Sequence, residues 1–462
     1  MSETTLLILI LFIGLFWFII GSRSALNLKI QASSKMHSLP FYHGLYLALI
    51  SVLPAILIVS ALGVIDDYIF SRMILNEIPE QISSGNRYNK LITVEQIRNV
   101  IEGTNFVEPS PWMEKAASTW SGWSNNLNII MIILGLGGSL LIGFLGYQKI
   151  ENSFRARNKV ETIILGLLAI SSGVAILTTL GILFSVIFES LRFFAIIPIQ
   201  EFLFGTSWNP QFEGAERAGS GQEGLAEYGS LPLFVGTFLI SLIALVIAVP
   251  IGLFSAIYLS EYANKRERSI LKPVLEVLAG VPTVVYGFFA ALTVAPLLRS
   301  AGFTLGLDVA SESALAAGFV MGIMIIPFVS SLSDDVINAV PQSLRDAAYG
   351  LGSTKGEVVL QVVLPAALPG VVASVLLAVS RAIGETMIVV MAAGLAANLS
   401  INPFDAVTTV TAQIVTILVG DQEFESAKTL SAFALALTLI IITLILNLVA
   451  LQVVKKYREQ YE

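Results

Sequence analysis

An all-helical protein threaded about nine times through a membrane is what three observations predict. Of the 462 residues, 55% are hydrophobic and only 13% charged, against about 45–50% and about 25% in soluble domains, and the mean hydropathy is +0.81. Apolar runs close to the roughly 20 residues that a helix needs to cross a bilayer recur along the chain. Lys and Arg gather in the intervals that fall on one side of those runs.

In chain order the runs cover 5–21, 42–64, 127–147, 161–188, 233–259, 273–297, 313–332, 370–397 and 429–451. Arg23, Lys29 and Lys35 follow the first. Lys149, Arg155, Arg157 and Lys159 precede the fourth, Lys265, Arg266, Arg268 and Lys272 follow the fifth, and Lys455, Lys456 and Arg458 end the chain. Nine crossings put all four groups on one face, which the positive-inside rule makes cytoplasmic. The N-terminus then lies outside and the C-terminus inside. The first run carries Glu3 and no basic residue before it, unlike a secretory signal, and reads as an uncleaved anchor.

Four regions follow: an N-terminal portion, 1–158, with three crossings and an exterior loop; a linking crossing and loop, 159–232; a core, 233–451; and a tail, 452–462. The exterior loop 66–126 contains Trp112, Trp120 and Trp123, expected to form an interfacial belt. The stretch 211–229 is rich in Gly, Glu and Ala and reads as a flexible exterior loop. From about Leu233 the crossings are punctuated by Gly and Pro, as expected of close-packed helices.

Composition also excludes. With no cysteine there are no disulfides, thiolate nucleophiles or cysteine metal sites. His37 and His43 read as interfacial residues, too few for a metal cluster, so no metal site is expected. A net charge of −7 argues against nucleic-acid binding. No G-x-x-x-x-G-K-[ST] loop, Ser/His/Asp set or metal cluster is visible, so an enzymatic role is not expected and ATP is not hydrolysed by this chain.

The polar stretch 341–365, between two crossings, has a readable geometry. A short helix runs from Pro341, suited to a helix start, to Leu351; Gly352 supplies a left-handed residue that ends it. Thr354 and Glu357 form a capping box opening a second helix, which Pro365 is expected to stop. Ala347 and Ala348 leave room for a partner to approach. Asp346, Ala347, Ala348, Gly352, Val362, Leu364 and Pro365 match the pattern E-A-A, three residues, G, nine residues, I-x-L-P, with Asp346 and Val362 as conservative departures. The chain thereby resembles the permease subunits of bacterial binding-protein-dependent ABC importers of type I. The resemblance implies that Arg345, Asp346, Ala347, Ala348, Gly352 and Pro365 couple the chain to a separate ATPase.

Inside the eighth run, SRAIGETM at 380–387 places Arg381 and Glu385 in the membrane. A charge there costs about 2.5–3.5 kcal/mol by insertion scales, and a four-residue spacing puts both on one helical face, able to pair. Either they neutralise one another or Arg381 lines an anion path, its planar donor fork suiting phosphate while Glu385 keeps the attraction reversible; their joint presence favours the path. Thr386 can add a hydroxyl. Asp334 and Asp335 read as a solvated helix end.

RAIGETM, with GVPTVVYGFFA at 280–290, FESLRFF at 188–194 and the region around 202–212, resembles the phosphate branch of these importers, its PstC-type subunits, and 35–55 resembles the extension of a longer form. That resemblance implies an inner-membrane permease for inorganic phosphate, with Arg381 and Glu385 in transport. Its partners would be an ATP-binding subunit dimer of the PstB kind, which carries the ATP and Mg, a second permease of the PstA kind, an exterior phosphate-binding protein of the PstS kind, and the lipid bilayer itself. This chain itself is expected to bind no cofactor. The alternatives are another oxyanion such as sulfate or molybdate, the second permease of the same importer, or a membrane sensor using 66–126.

Overall fold

The computed structural model describes residues 3–31, 36–75, 87–104, 109–210, 226–419 and 426–458. The loop reading for 211–229 falls mostly outside them, as do Lys35 and the end of the tail. Among the described residues nine helical stretches are long and apolar enough to cross a membrane. Two compact units divide at Leu177, within the long helix that joins them in sequence.

The first unit is built on α1 (Glu3–Gln31) and α2 (Pro40–Val64), packed as a hairpin. A π-helical turn, Ile65–Phe70, leads to α3 (Ser71–Leu75), and α4 (Arg87–Glu102) precedes α5 (Pro111–Ile132). A second π-helical turn carries α5 into α6 (Gly138–Tyr147). Leu6, Ile10, Ala55, Val59, Leu127 and Met131 form the core between α1, α2 and α5. Above it Ile74, Ile97, Ala116, Ala117 and Trp120 make a separate small core, with Trp112 and Trp123 packed against it. The expected tryptophan belt is thus replaced at Trp120 by a buried ring, because α4 brings an apolar face to cover it. His43 is also fully buried, its ring 5.9 Å from that of Phe154, and is not the interfacial residue expected.

α7 (Ala156–Ile196) runs for 41 residues, about 60 Å at 1.5 Å per residue, and its most apolar stretch contains no buried residue. In the second unit, α8 (Ile199–Phe204) and a two-residue hairpin, β1 (Trp208–Asn209) with β2 (Glu227–Tyr228), precede α9 (Leu231–Ile257), which ends in a π-helical turn at Tyr258–Tyr262. Phe193, Phe202, Trp208 and Tyr228 stack edge to face around it.

The sixth crossing differs from the expected 273–297. α10 (Lys265–Ala279) is a separate amphipathic helix opened by an Asn264–Glu267 capping box, with no residue buried. After Gly280 and Pro282 the chain restarts as α11 (Thr283–Phe289), continued through a π-helical turn by α12 (Ala295–Thr304). Pro282 lacks an N–H and holds the residue before it out of the helical region, a break that mean hydropathy does not register. α13 (Ala314–Ala339) packs along α9.

α14 (Gln342–Gly350) and α15 (Lys355–Val358) form the polar hairpin. Contrary to expectation, Pro365 does not stop the second helix: a π-helical turn at Val359–Val363 passes directly into α16 (Leu364–Ile383), with Pro365 in its first turn, where a missing N–H is tolerated. The eighth crossing is therefore Lys355–Ile383, not 370–397. α17 (Met387–Ala392), α18 (Val410–Leu418) and α19 (Ala427–Arg458) complete the fold. Ile240, Ala244, Met321, Ile325, Ile388 and Val389 lie in the core that joins α9, α13 and α17.

Candidate functional site

The hairpin owes its shape to local hydrogen bonds. Gly352, at φ +89°, takes the left-handed conformation that glycine adopts without a Cβ penalty. Gly352 N donates to the Tyr349 carbonyl at 2.9 Å and Ser353 N to the Ala348 carbonyl at 3.1 Å, the bond pair of a Schellman motif. One residue later, the Thr354 N–H and hydroxyl both donate to Glu357 Oε2 at 2.7 Å. Two helix ends are thereby fixed within six residues.

The residues singled out in this loop separate into two faces. Asp346, Ala347 and Gly352 are exposed, whereas Ala348 and Arg345 are buried and Pro365 is half-buried. Beside the exposed ones stand Leu344, Tyr349 and Leu351, the last 89% exposed. Leu344, Ala347 and Leu351, at intervals of three and four, fall on one helical side, a signal present in the sequence. An apolar side chain so bare beside a rigid turn suits a surface that another protein covers.

Arg345 points the other way. Its Nε and Nη2 donate to Glu261 Oε1 at 3.1 and 2.8 Å, Nη2 donates to the Ile337 carbonyl at 2.9 Å, and Nη1 to the Val340 carbonyl. The pair is 9% and 8% exposed, so removing either partner would strand a buried charge at a cost of about 3–5 kcal/mol. Arg345 therefore holds the hairpin from behind. Lys355 Nζ lies 4.8 Å above the Tyr262 ring on the same turn as Glu261.

Asp334 is 1% exposed, not a solvated helix end. Its carboxylate accepts two bonds from Arg268 Nη2 at 3.0 and 2.9 Å, one from Lys272 Nζ at 2.9 Å and one from Asn338 Nδ2 at 2.8 Å. Asp335, exposed, also accepts from Lys272. The hydrogen bond to Asp334 is the largest influence raising the Lys272 ammonium above its usual pKa, against a smaller opposing effect of burial. The amphipathic α10 is tied to α13 through these cations.

At the other end of α16, Arg381 lies in the last turn and Gly384 follows as its cap. Arg381 is exposed, its guanidinium 5.8 Å from the centroid of the Phe328 ring, within cation–π range. Glu385 does not continue the helix and does not pair with Arg381; its Oε1 accepts from the backbone N–H groups of Met387 at 3.2 Å and Ile388 at 3.5 Å, at the start of α17. Orphan N–H groups at a helix start are strong partners for a carboxylate, and they outcompete the expected i,i+4 pairing. Thr386 Oγ1 donates to the Gly384 carbonyl at 3.3 Å, and Thr411 Oγ1 to the Glu385 carbonyl at 2.8 Å. The crossing is thus broken beside its own arginine.

α11, carrying TVVYG, packs across that break. A Cβ at Gly287 would lie 2.8 Å from Met391 Sδ and 3.2 Å from the Met387 carbonyl oxygen, so a larger residue there would press on α17. Two stretches 100 residues apart in sequence, 283–287 and 384–387, are brought together here. Ser380 Oγ donates to Asn447 Oδ1 at 3.0 Å, a polar contact between crossings that the sequence did not signal. Beyond the break a cavity of about 480 Å³ is lined by Trp208, Asn209, Leu395, Gln413, Thr416 and Lys428, among others. Gln413 bridges its wall, accepting from Trp208 Nε1 at 3.3 Å and donating to the Leu395 carbonyl at 3.1 Å.

Comparison with known proteins matches residues 7–178 to a family described as phosphate ATP-binding cassette transporter, and residues 248–459 to one described as binding-protein-dependent transport system inner membrane component. The probable ABC transporter permease protein YqgH of Bacillus subtilis (strain 168) is 31% identical over 282 residues, 60% of this chain and 83% of that protein. The phosphate transport system permease protein PstC of Xylella fastidiosa (strain Temecula1 / ATCC 700964) is 33% identical over 177 residues, 34% of this chain and 49% of that protein. Against PstC relatives such as this one, the chain spans about half their length. A solved structure of the MetNI methionine ABC transporter in inward-facing conformations is 17% identical at a TM-score of 0.36, covering 50% of this chain and 94% of that one.

Proposed function

The chain belongs to the ABC transporter permease family, and from that premise we propose that it is the phosphate-translocating membrane subunit of an ATP-driven importer. The observation that carries the reading is the rigid hairpin 342–357, which turns Leu344, Ala347 and Leu351 outward while burying Arg345 behind them. Such an arm transmits force without bending. A separate ATP-binding subunit dimer docks on it and carries the ATP and Mg; a second permease completes the path, and an exterior binding protein delivers phosphate. The chain hydrolyses no ATP itself. The distribution of the basic groups supports a cytoplasmic hairpin and C-terminus and an exterior N-terminus.

Phosphate as the substrate is supported by the family matched at residues 7–178 and by the site at 381–387. Arg381 has no acidic partner in the described chain, and an uncovered charge within a crossing is costly unless water or another polar surface meets it. A hydrated path against the second permease satisfies it, and the guanidinium then offers phosphate a planar fork of donors. Glu385 supports this from the backbone side, by holding the break open at the start of α17. Thr386, with its hydroxyl turned to the Gly384 carbonyl, stands at the same break.

Uptake of labelled phosphate by cells or proteoliposomes containing the assembled importer tests this. Arg381→Gln is expected to lower uptake to background with the ATPase still co-purifying. Normal uptake would remove Arg381 from the path, and normal uptake of sulfate or molybdate in place of phosphate would overturn the substrate.

A further inference from the structure

We propose that Glu261 and Arg345 form the strut by which the hairpin moves the α9 crossing, a role that rests on the hairpin's docking of an ATPase. Three elements meet at one guanidinium. α14 contributes Arg345 itself, α13 presents the Ile337 and Val340 carbonyls at its C-terminal end, and the π-helical turn closing α9 presents Glu261. An arginine that covers the last carbonyls of a helix also meets the negative end of its dipole. α13 and α14 are nearly continuous in the chain, separated by Val340 and Pro341, so α13 follows the hairpin through covalent bonds.

α9 has no such connection. Glu261 lies 84 residues before Arg345, and any response of α9 has to travel through contacts. The apolar ones beneath the hairpin, in the core that Ala256 shares with Ala348 and Val358, are non-directional and allow sliding. The Arg345 fork on Glu261 is directional and buried, so pulling α14 away without α9 would leave both charges unpaired in a dry setting. The second arm grips the same turn, through Lys355 above Tyr262. A π-helical turn holds one more residue per turn than an α-helix and is common at functional positions; here it carries the acid that reaches the arginine. Glu261 is thus a positioning residue that acts through Arg345, remote from the transported ion.

The test measures phosphate moved and ATP hydrolysed together in proteoliposomes containing the complete importer, for the native chain, Glu261→Gln and Arg345→Lys. A strut predicts that the ratio of phosphate moved to ATP hydrolysed falls by about tenfold in both variants, in the range of coupling between linked sites, with the ATPase still retained. A merely structural pair predicts that both rates fall together at the native ratio, which would overturn the proposal, as would an unchanged ratio at native rates. Should the variants fail to assemble, the native pair can be followed instead, because the chain has no cysteine. Spin labels at Tyr258 and Ser343, both exposed, are expected to keep one separation in the nucleotide-free and ATP-trapped states; a separation that changes between them would overturn the strut. A native chain that never retains an ATPase would remove the docking reading and the strut with it, an outcome distinct from every result with the variants.

Discussion

Asp334 is surrounded by two cations and an amide, and those neighbours decide its role. Buried at 1% exposure while Arg268 and Lys272 remain about one-third exposed, it is the fixed end of the bonds that hold α10 on α13. Asp334→Ala leaves cations that still reach water, so its cost is below that of a fully buried pair, on the order of 2 kcal/mol, measured as loss of thermal stability of the purified complex. Lys272 supplies a pH test. Its folded pKa is raised above the ordinary 10.5, so its contribution is complete below that value and lost as pH rises through the raised one. Thermal unfolding should therefore show no loss from this group between neutral pH and about pH 10, and Lys272→Met should remove the alkaline component. The Arg381 and Glu385 spacing shows where residue-level reading stops. A four-residue interval implies one face only while the helix continues, and the backbone N–H groups of Met387 and Ile388 claim the carboxylate first.

Among the elements, the hairpin was readable because each of its signals acts within a few residues: the left-handed glycine, the capping box and the exposed alanine. Gly352→Val places a branched side chain at φ +89°, a strain of about 1–3 kcal/mol. The expected result is weaker co-purification of the ATPase with the pattern of crossings unchanged; unaltered retention and ATP turnover would contradict the docking role. Gly287→Val forces apart α11 and α17, at about 1–3 kcal/mol, and is expected to lower phosphate uptake more than assembly. The breaks at 280–282 and 384–386 were missed because hydropathy averages over a window while Pro and Gly act at single positions. The Glu261–Arg345 contact had no signal at all, since a pairing across 84 residues depends on how α9 and α13 pack.

For the molecule as a whole, nine crossings were visible in composition and length alone, and the structure has nine suitable helices among its described residues. Each of the two units has cores of its own, and α7 presents its apolar stretch without any buried residue, a surface that requires lipid or another membrane subunit. In the proposed cycle a bare, rigid arm receives the force of an ATPase and the crossings convert it to phosphate import. The most direct measurement places a single cysteine at Leu351 in this otherwise cysteine-free chain and treats the assembled importer with a short thiol-to-amine cross-linker. A covalent product between this chain and the ATP-binding subunit is expected, with loss of phosphate uptake as it forms. Labelling of the same cysteine from outside intact cells by a membrane-impermeant thiol reagent, with no product to the ATPase, would contradict it.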